Sequence, residues 1–306
     1  MPDDRLAHRF TPQMNRPRAW LAATCLSFVV SVGCSASDRG DTTIVLPSDG
    51  HCDEIDVWKW ATMASESLTT RPFVSRPLYD LDAADRPVVF TPGPCALCEA
   101  VVSYPDPLRH RGAPDGFERM KGRSYLYDNA LYALLRTAEG RQSSARAVLD
   151  TLVALQRSDG AWGFSFMIEG GGFYNAGYVR SGAVAWVVYA MARYELRFSD
   201  DRYRSAMRRA GAWLSGRIDR PHGLIRGGLG RWVDDGAHFD PLHVAPWMST
   251  EHNVDAAFAM AAAARADPEG GWIESARVSA AIELHTWLPY VGHYARGKRP
   301  DGVDAV

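Results

Sequence analysis

The chain has 306 residues, with 34 lysines and arginines against 36 aspartates and glutamates and a formal net charge of −2. That length allows one large domain or two small ones. The near-balanced charge, without a basic run, excludes the cationic stripe that a nucleic-acid partner demands.

The N-terminus reads as an export signal. "NRPRAW" supplies arginines, "LAATCLSFVVSV" is an apolar run too short to span a bilayer, and "VGC" closes it with small residues before Cys34. Val32, Gly33 and Cys34 resemble a bacterial lipobox, with Ser31 standing where leucine is usual. The resemblance implies a signal peptide over 1–34, a lipid on Cys34, and a protein exported and anchored to the membrane of the cell envelope. Residues 35–50 have the small, polar composition of a tether. Beyond them lie Cys52, Cys95 and Cys98, an odd number. "CALC" with His51 and Cys52 has the composition of a zinc set, but in an oxidising compartment a disulfide is the favoured reading, and no metal site is predicted. Residues 51–122, rich in proline and arginine, read as an irregular lead-in packed across the domain at 123–306.

From Tyr125 onward, very apolar helices alternate with amphipathic ones. "YDNALYALLRTA" is followed by "QSSARAVLDTLVALQ", "SGAVAWVVYAMARYEL" by "DRYRSAMRRAGAWLSGRI", and "TEHNVDAAFAMAAAARA" by "IESARVSAAIELHTWL". Residues 183–194 are apolar on nearly every side and predict an enclosed helix. Residues 202–218 set arginines against Met207, Ala210, Trp213 and Leu214 at three-to-four spacing, which predicts one buried face. The links from outer to inner helices are long and rich in glycine and aromatics, the composition of functional loops.

Concentric helical hairpins with long loops at one rim describe an all-α fold, a partial (α/α)6 toroid. "SYLYDNALYALL", "LQRSDGAWGFSF", "GLIRGG" and "STEHNVDAAFA" resemble segments of the six-hairpin glycosidase-like superfamily, over residues 123–306. The resemblance implies a carbohydrate-active, hydrolase-like protein without a cofactor, acting on oligo- or polysaccharides. Three hairpins are visible where the family has six. "PDGVDAV" reads as a turn toward a further inner helix, so the chain is expected to be C-terminally truncated relative to such proteins.

In such a toroid the inner helices begin at the loop-bearing rim, where unpaired amides and the macrodipole favour carboxylates. Asp128 opens the first inner helix and Glu251 the third. The expectation is that both face one funnel as the catalytic pair, Glu251 as general acid and Asp128 as base, with the roles exchangeable. Each residue is also a plain first-turn acid, with Ser249 or Thr250 as N-cap in the second case. Trp162, Phe164, Tyr174, Trp232 and Trp247 are candidate surfaces for sugar rings, and Arg180, Arg226, His252 and Asn253 are candidate polar contacts.

Particular residues also fit two other enzyme classes. Tyr174, Asn175, Arg180, His252 and Asn253 supply the residue types of a polysaccharide lyase acting on an acidic glycan. Gln156, Gly160 and Trp162 match the QxxxGxW repeat of squalene-hopene-type cyclases, where the motif is structural, but the DxDD sequence is missing. A non-catalytic glycan-binding or assembly lipoprotein is the third class. "DDGAHFDPLH", with His238, His243 and Asp240, follows no metal-ligand spacing and reads as solvated loop.

Overall fold

A computed structural model of the chain describes residues 69–73, 78–81, 87–103, 122–168, 174–233, 238–299, 301 and 304–305. The chain divides into two compact units, Met1–Asp53 and Glu54–Val306, and every described residue belongs to the second. The signal, Cys34, the tether and Cys52 lie outside the described residues. Among the described residues no helix is long and apolar enough to cross a membrane.

The lead-in contains short strands rather than featureless coil. β1 (Thr70–Pro72) pairs antiparallel with β4 (Glu99–Val101), and β2 (Leu78–Leu81) with β3 (Pro87–Phe90). Cys95 and Cys98 form a disulfide just before β4.

The helices come in consecutive hairpins. α1 (Leu126–Ala138) packs against α2 (Gln142–Leu155), α3 (Ser181–Phe198) against α4 (Arg204–Ser215), and α5 (Thr250–Ala266) against α6 (Glu274–Thr286). α3 lies between α1 and α5, which explains its composition. Val184, Val187, Val188 and Met191 are all fully buried, because a helix flanked on both sides and covered by an outer partner has no wet face. Ala256, Ala259 and Ala263 line the buried side of α5, and side chains this small let α3 approach closely. The outer helices keep one polar face: on α4, Met207, Ala210 and Leu214 are buried, while the half-exposed Arg204 and Arg208 pair with the buried carboxylates of Glu195 and Asp267.

Each inner helix emerges from a short strand: β5 (Arg123–Tyr125), β7 (Val179–Arg180) and β10 (Met248–Ser249). The first helical N–H of each is tied to a carbonyl in the segment that follows the next outer helix. Leu126 N–H donates to Phe164 (3.0 Å), Ser181 N–H to Gly227 (3.1 Å), and Thr250 N–H to Arg296 (2.9 Å). The recurrence fixes a common register, in which Leu126, Ser181 and Thr250 are equivalent, as are Tyr127, Gly182 and Glu251. Side-by-side hairpins repeating one local tie make a partial (α/α)6 toroid.

The long links are not coil throughout. β6 (Ser165–Met167) pairs with β5, and β8 (Gly228–Val233) and β9 (His238–Ala245) form an antiparallel ribbon that extends β7. Near the C-terminus β11 (Trp287–Leu288) pairs with β12 (His293–Tyr294), and β13 (Gly297–Lys298) lies between β10 and β14 (Asp304–Ala305).

Candidate functional site at the inner-helix starts

Two buried asparagines hold the rim in place. Asn253 Oδ1 accepts from Ile225 N–H (2.6 Å), while its Nδ2 donates to Ile225 C=O (3.1 Å) and Ser249 C=O (2.7 Å). Asn129, at the equivalent position of α1, accepts from Val101 N–H (3.0 Å) and donates to Ser124 Oγ and Tyr125 C=O. Each amide binds a helix start to a neighbouring segment, with its polar atoms fully engaged. Asn253, a candidate substrate contact by sequence, is therefore a framework residue.

The shared register also separates the expected carboxylate pair. Glu251 corresponds to Tyr127 on α1, whereas Asp128 corresponds to His252. One residue along a helix is a rotation of about 100°. The Asp128 carboxyl is half-buried and hydrogen-bonded to the Ser103 hydroxyl, on the side where the chain enters the hairpins; burial pushes it up and Ser103 partly offsets this. Glu251 is exposed and charge-coupled to Tyr127 and Asp255 instead. Asp128 thus stands beside Ser103, and Glu251 stands with Tyr127 and Asp255.

Three inner helices meet at Gly182. A Cβ at that position would lie 2.5 Å from Tyr127 Oη, 2.6 Å from the His252 ring and 3.0 Å from Asp255 Oδ2. A residue without a side chain is what lets a phenol from α1 and an imidazole and a carboxyl from α5 converge on the start of α3. Among the described residues Asp255 Oδ2 and His252 Nδ1 are buried without hydrogen-bond partners. Burial, reinforced by the Glu251 charge, raises the Asp255 carboxyl well above its usual range, and the Trp186 indole partly opposes this. Burial, then the Arg180 charge, lowers His252 to about 4, so its ring is neutral at pH 7. Burial, then the charges of Asp255 and Glu251, raise the Tyr127 phenol. At neutral pH the cluster holds a neutral imidazole, a phenol and a carboxyl that burial biases toward its protonated form.

Aromatic and cationic groups surround it. Phe164 makes edge contacts with Tyr125, Tyr127 and Tyr178 at 5.5–6.1 Å between centroids. The Arg180 guanidinium lies 3.6 Å from the Tyr178 ring centroid and 5.8 Å from that of Trp247. Trp247 is 37 % exposed, packs against Gly227, and stands 5.3 Å from the His252 ring. Trp247 also lines an open cavity of about 430 Å³ with Glu251, Arg296 and Lys298 among others.

Other sequence candidates are placed elsewhere. Trp162 and Tyr174 are fully buried; the indole N–H donates to Leu152 C=O (2.6 Å) and the phenol to Leu155 C=O (2.8 Å), so both are core and present no face to a ligand. Gln156 Nε2 donates to Gly160 C=O and Ala206 C=O at 2.9 Å each, which makes the QxxxGxW match a strap between α2 and α4. Arg226 is engaged by Asp219 at 2.7 Å, and Trp232 is half exposed on β8 against Phe239. Among the described residues no cluster of histidine, cysteine, aspartate or glutamate has the arrangement to hold a metal ion.

Sequence reasoning missed Tyr127, Tyr178 and Asp255. Asp255 had a usable signal, since it stands four residues after Glu251 and shares its helix face. Tyr127 had none without the helix register.

The sequence matches no protein-family model, and no curated protein matches it significantly. Among solved structures the chain is similar to cellobiose 2-epimerase from Bacillus thermoamylovorans (11% identity, 60% of this chain and 50% of that one, TM-score 0.48). It is also similar to an alpha-amylase from Clostridium perfringens (11%, 61% and 50%, TM-score 0.47) and to an unsaturated glucuronyl hydrolase from a Bacillus species (15%, 64% and 58%, TM-score 0.45). The chain spans between half and three-fifths of the length of these three structures.

Proposed function

We propose that this chain is a carbohydrate-active protein of glycoside-hydrolase type, with acid–base chemistry at the inner-helix starts. The convergence of Tyr127, His252 and Asp255 on Gly182, between Glu251 and the exposed Trp247, carries the reading. Glycoside cleavage needs one carboxyl kept protonated to donate to the leaving oxygen and a second to act as base or nucleophile. Asp255, buried and with its carboxyl pushed up by that burial, has the character of the donor; Glu251, exposed one turn earlier on the same face, is the second carboxylate. Trp247 offers a flat apolar face to a sugar ring, and Tyr127 and His252 offer hydroxyl partners. Release of new reducing ends from a glycan panel tests this. Glu251→Gln and Asp255→Asn are each expected to lower turnover at least about 100-fold; full activity in both would overturn the assignment.

One observation favours a lyase as the second reading. A neutral His252 beside Tyr127 and the Arg180 charge supplies a base and a charge-neutralising group for proton removal next to a uronate. An unsaturated product absorbing in the near ultraviolet, without hydrolysis, would select it.

The arginines, the short apolar run and Cys34 support an exported, lipid-anchored setting. Incorporation of labelled fatty acid into the wild type but not into Cys34→Ser tests that.

A further inference from the structure

Arg180 is a half-buried cation whose charge no acid among the described residues neutralises. Its guanidinium donates to the carbonyls of Val179 (2.9 Å), Leu229 (2.8 Å) and Gly230 (3.3 Å) and lies over the Tyr178 ring, and none of the described acids forms an ion pair with it. Backbone carbonyls hold the group in place but leave its full positive charge, and burial is costly enough to lower its proton affinity. That charge reaches inward, since it is felt by both His252 and Tyr127. Trp247 also lines a cavity together with Glu251, Arg296 and Lys298. An arginine held by backbone carbonyls beside an exposed indole suits a sugar ring bearing a planar anionic group.

We infer that the site is specific for acidic glycans, and that Arg180 is the specificity-determining residue, pairing with the carboxylate of a uronic acid residue whose ring lies against Trp247. The inference rests on the carbohydrate reading above and narrows its substrate class. No covalent step is involved: the carboxylate exchanges water for the guanidinium, and the ring covers Trp247.

The test is calorimetric titration of the full chain with an oligogalacturonate and with the same oligosaccharide after reduction of its carboxyls to alcohols. The acidic ligand is expected to bind at least about tenfold more tightly, in line with a hydrogen bond to a charged group. The preference should shrink as salt rises from about 0.05 M to about 0.5 M. Arg180→Gln should bring the ratio of affinities close to one, and Arg180→Lys should keep part of it. A folded Arg180→Gln protein with an unchanged ratio overturns the inference. Equal binding of both ligands by the wild type overturns it too, while leaving the carbohydrate reading standing. Binding of neither ligand, nor of any glycan on the panel, overturns that reading and the inference with it. Should Arg180→Gln fail to fold, the wild-type ratio, its salt dependence and Arg180→Lys decide.

Discussion

The phenol of Tyr127 and the carboxyl of Asp255 come from non-adjacent inner helices and meet over the bare α-carbon of Gly182. The small residue is as much a part of the site as the two that carry its chemistry. Gly182→Ala would place a methyl group within 2.5 Å of Tyr127 Oη and 2.6 Å of His252. Overpacking of this kind costs about 1–3 kcal/mol. The expected outcome is a lower thermal midpoint together with loss of glycan binding. A variant that binds as the wild type does would show that the three groups do not act together.

Asp255 and His252 give opposite dependences of stability on pH. Asp255 has a folded pKa raised above 3.8, so the folded state binds more protons than the unfolded chain in the window above that value. Its contribution is fully present below pH 3.8 and is lost as pH rises through the folded value. Asp255→Asn is therefore expected to stabilise the protein at neutral pH relative to wild type and to flatten this part of the profile, as read by urea midpoints across pH.

His252 has the reverse sign. Its folded pKa of about 4 lies below the ordinary 6.5, so its contribution is present above 6.5 and disappears as pH falls toward 4. His252→Gln should remove that acid-side loss. A wild-type urea midpoint identical in slope to that of His252→Gln between pH 6.5 and pH 4 would refute the buried, neutral ring.

Asn253→Ala removes three hydrogen bonds and leaves the backbone N–H of Ile225 without its acceptor. The expected loss is about 3 kcal/mol by chemical denaturation, since an unpaired buried polar group carries its full desolvation cost. Asn129→Ala should behave alike, because it makes the same bridge one end of the arc away. Exposed positions such as Glu251 should change the midpoint by less than about 0.5 kcal/mol. Glu251→Gln thus separates chemistry from folding.

Much of the architecture was legible in the chain. The third inner helix, "TEHNVDAAFAMAAAARA", coincides with α5 residue for residue, and the other helices differ at their ends by a few residues. Apolar periodicity marks helices and distinguishes enclosed from half-exposed ones, because burial on one side or all sides is written in which positions can tolerate charge. The β8–β9 ribbon was not legible. "GLGRWVDDGAHFDPLHVA" lacks the alternation of a half-buried strand, and its pairing with β7 depends on where Arg180 ends up.

The sequence by itself determined the hairpins, their inner and outer roles and the clustering of polar residues at one rim, since these follow from local propensity and hydrophobic pattern. Which polar residues face one another was decided only by the tertiary structure. A single residue's step around α1 sends Asp128 to Ser103 and Tyr127 to Gly182. Burial removed Trp162 and Tyr174 from any ligand and brought in Asp255. Helix rotation and long-range packing are set by contacts far apart along the chain, and no window of neighbouring residues contains them.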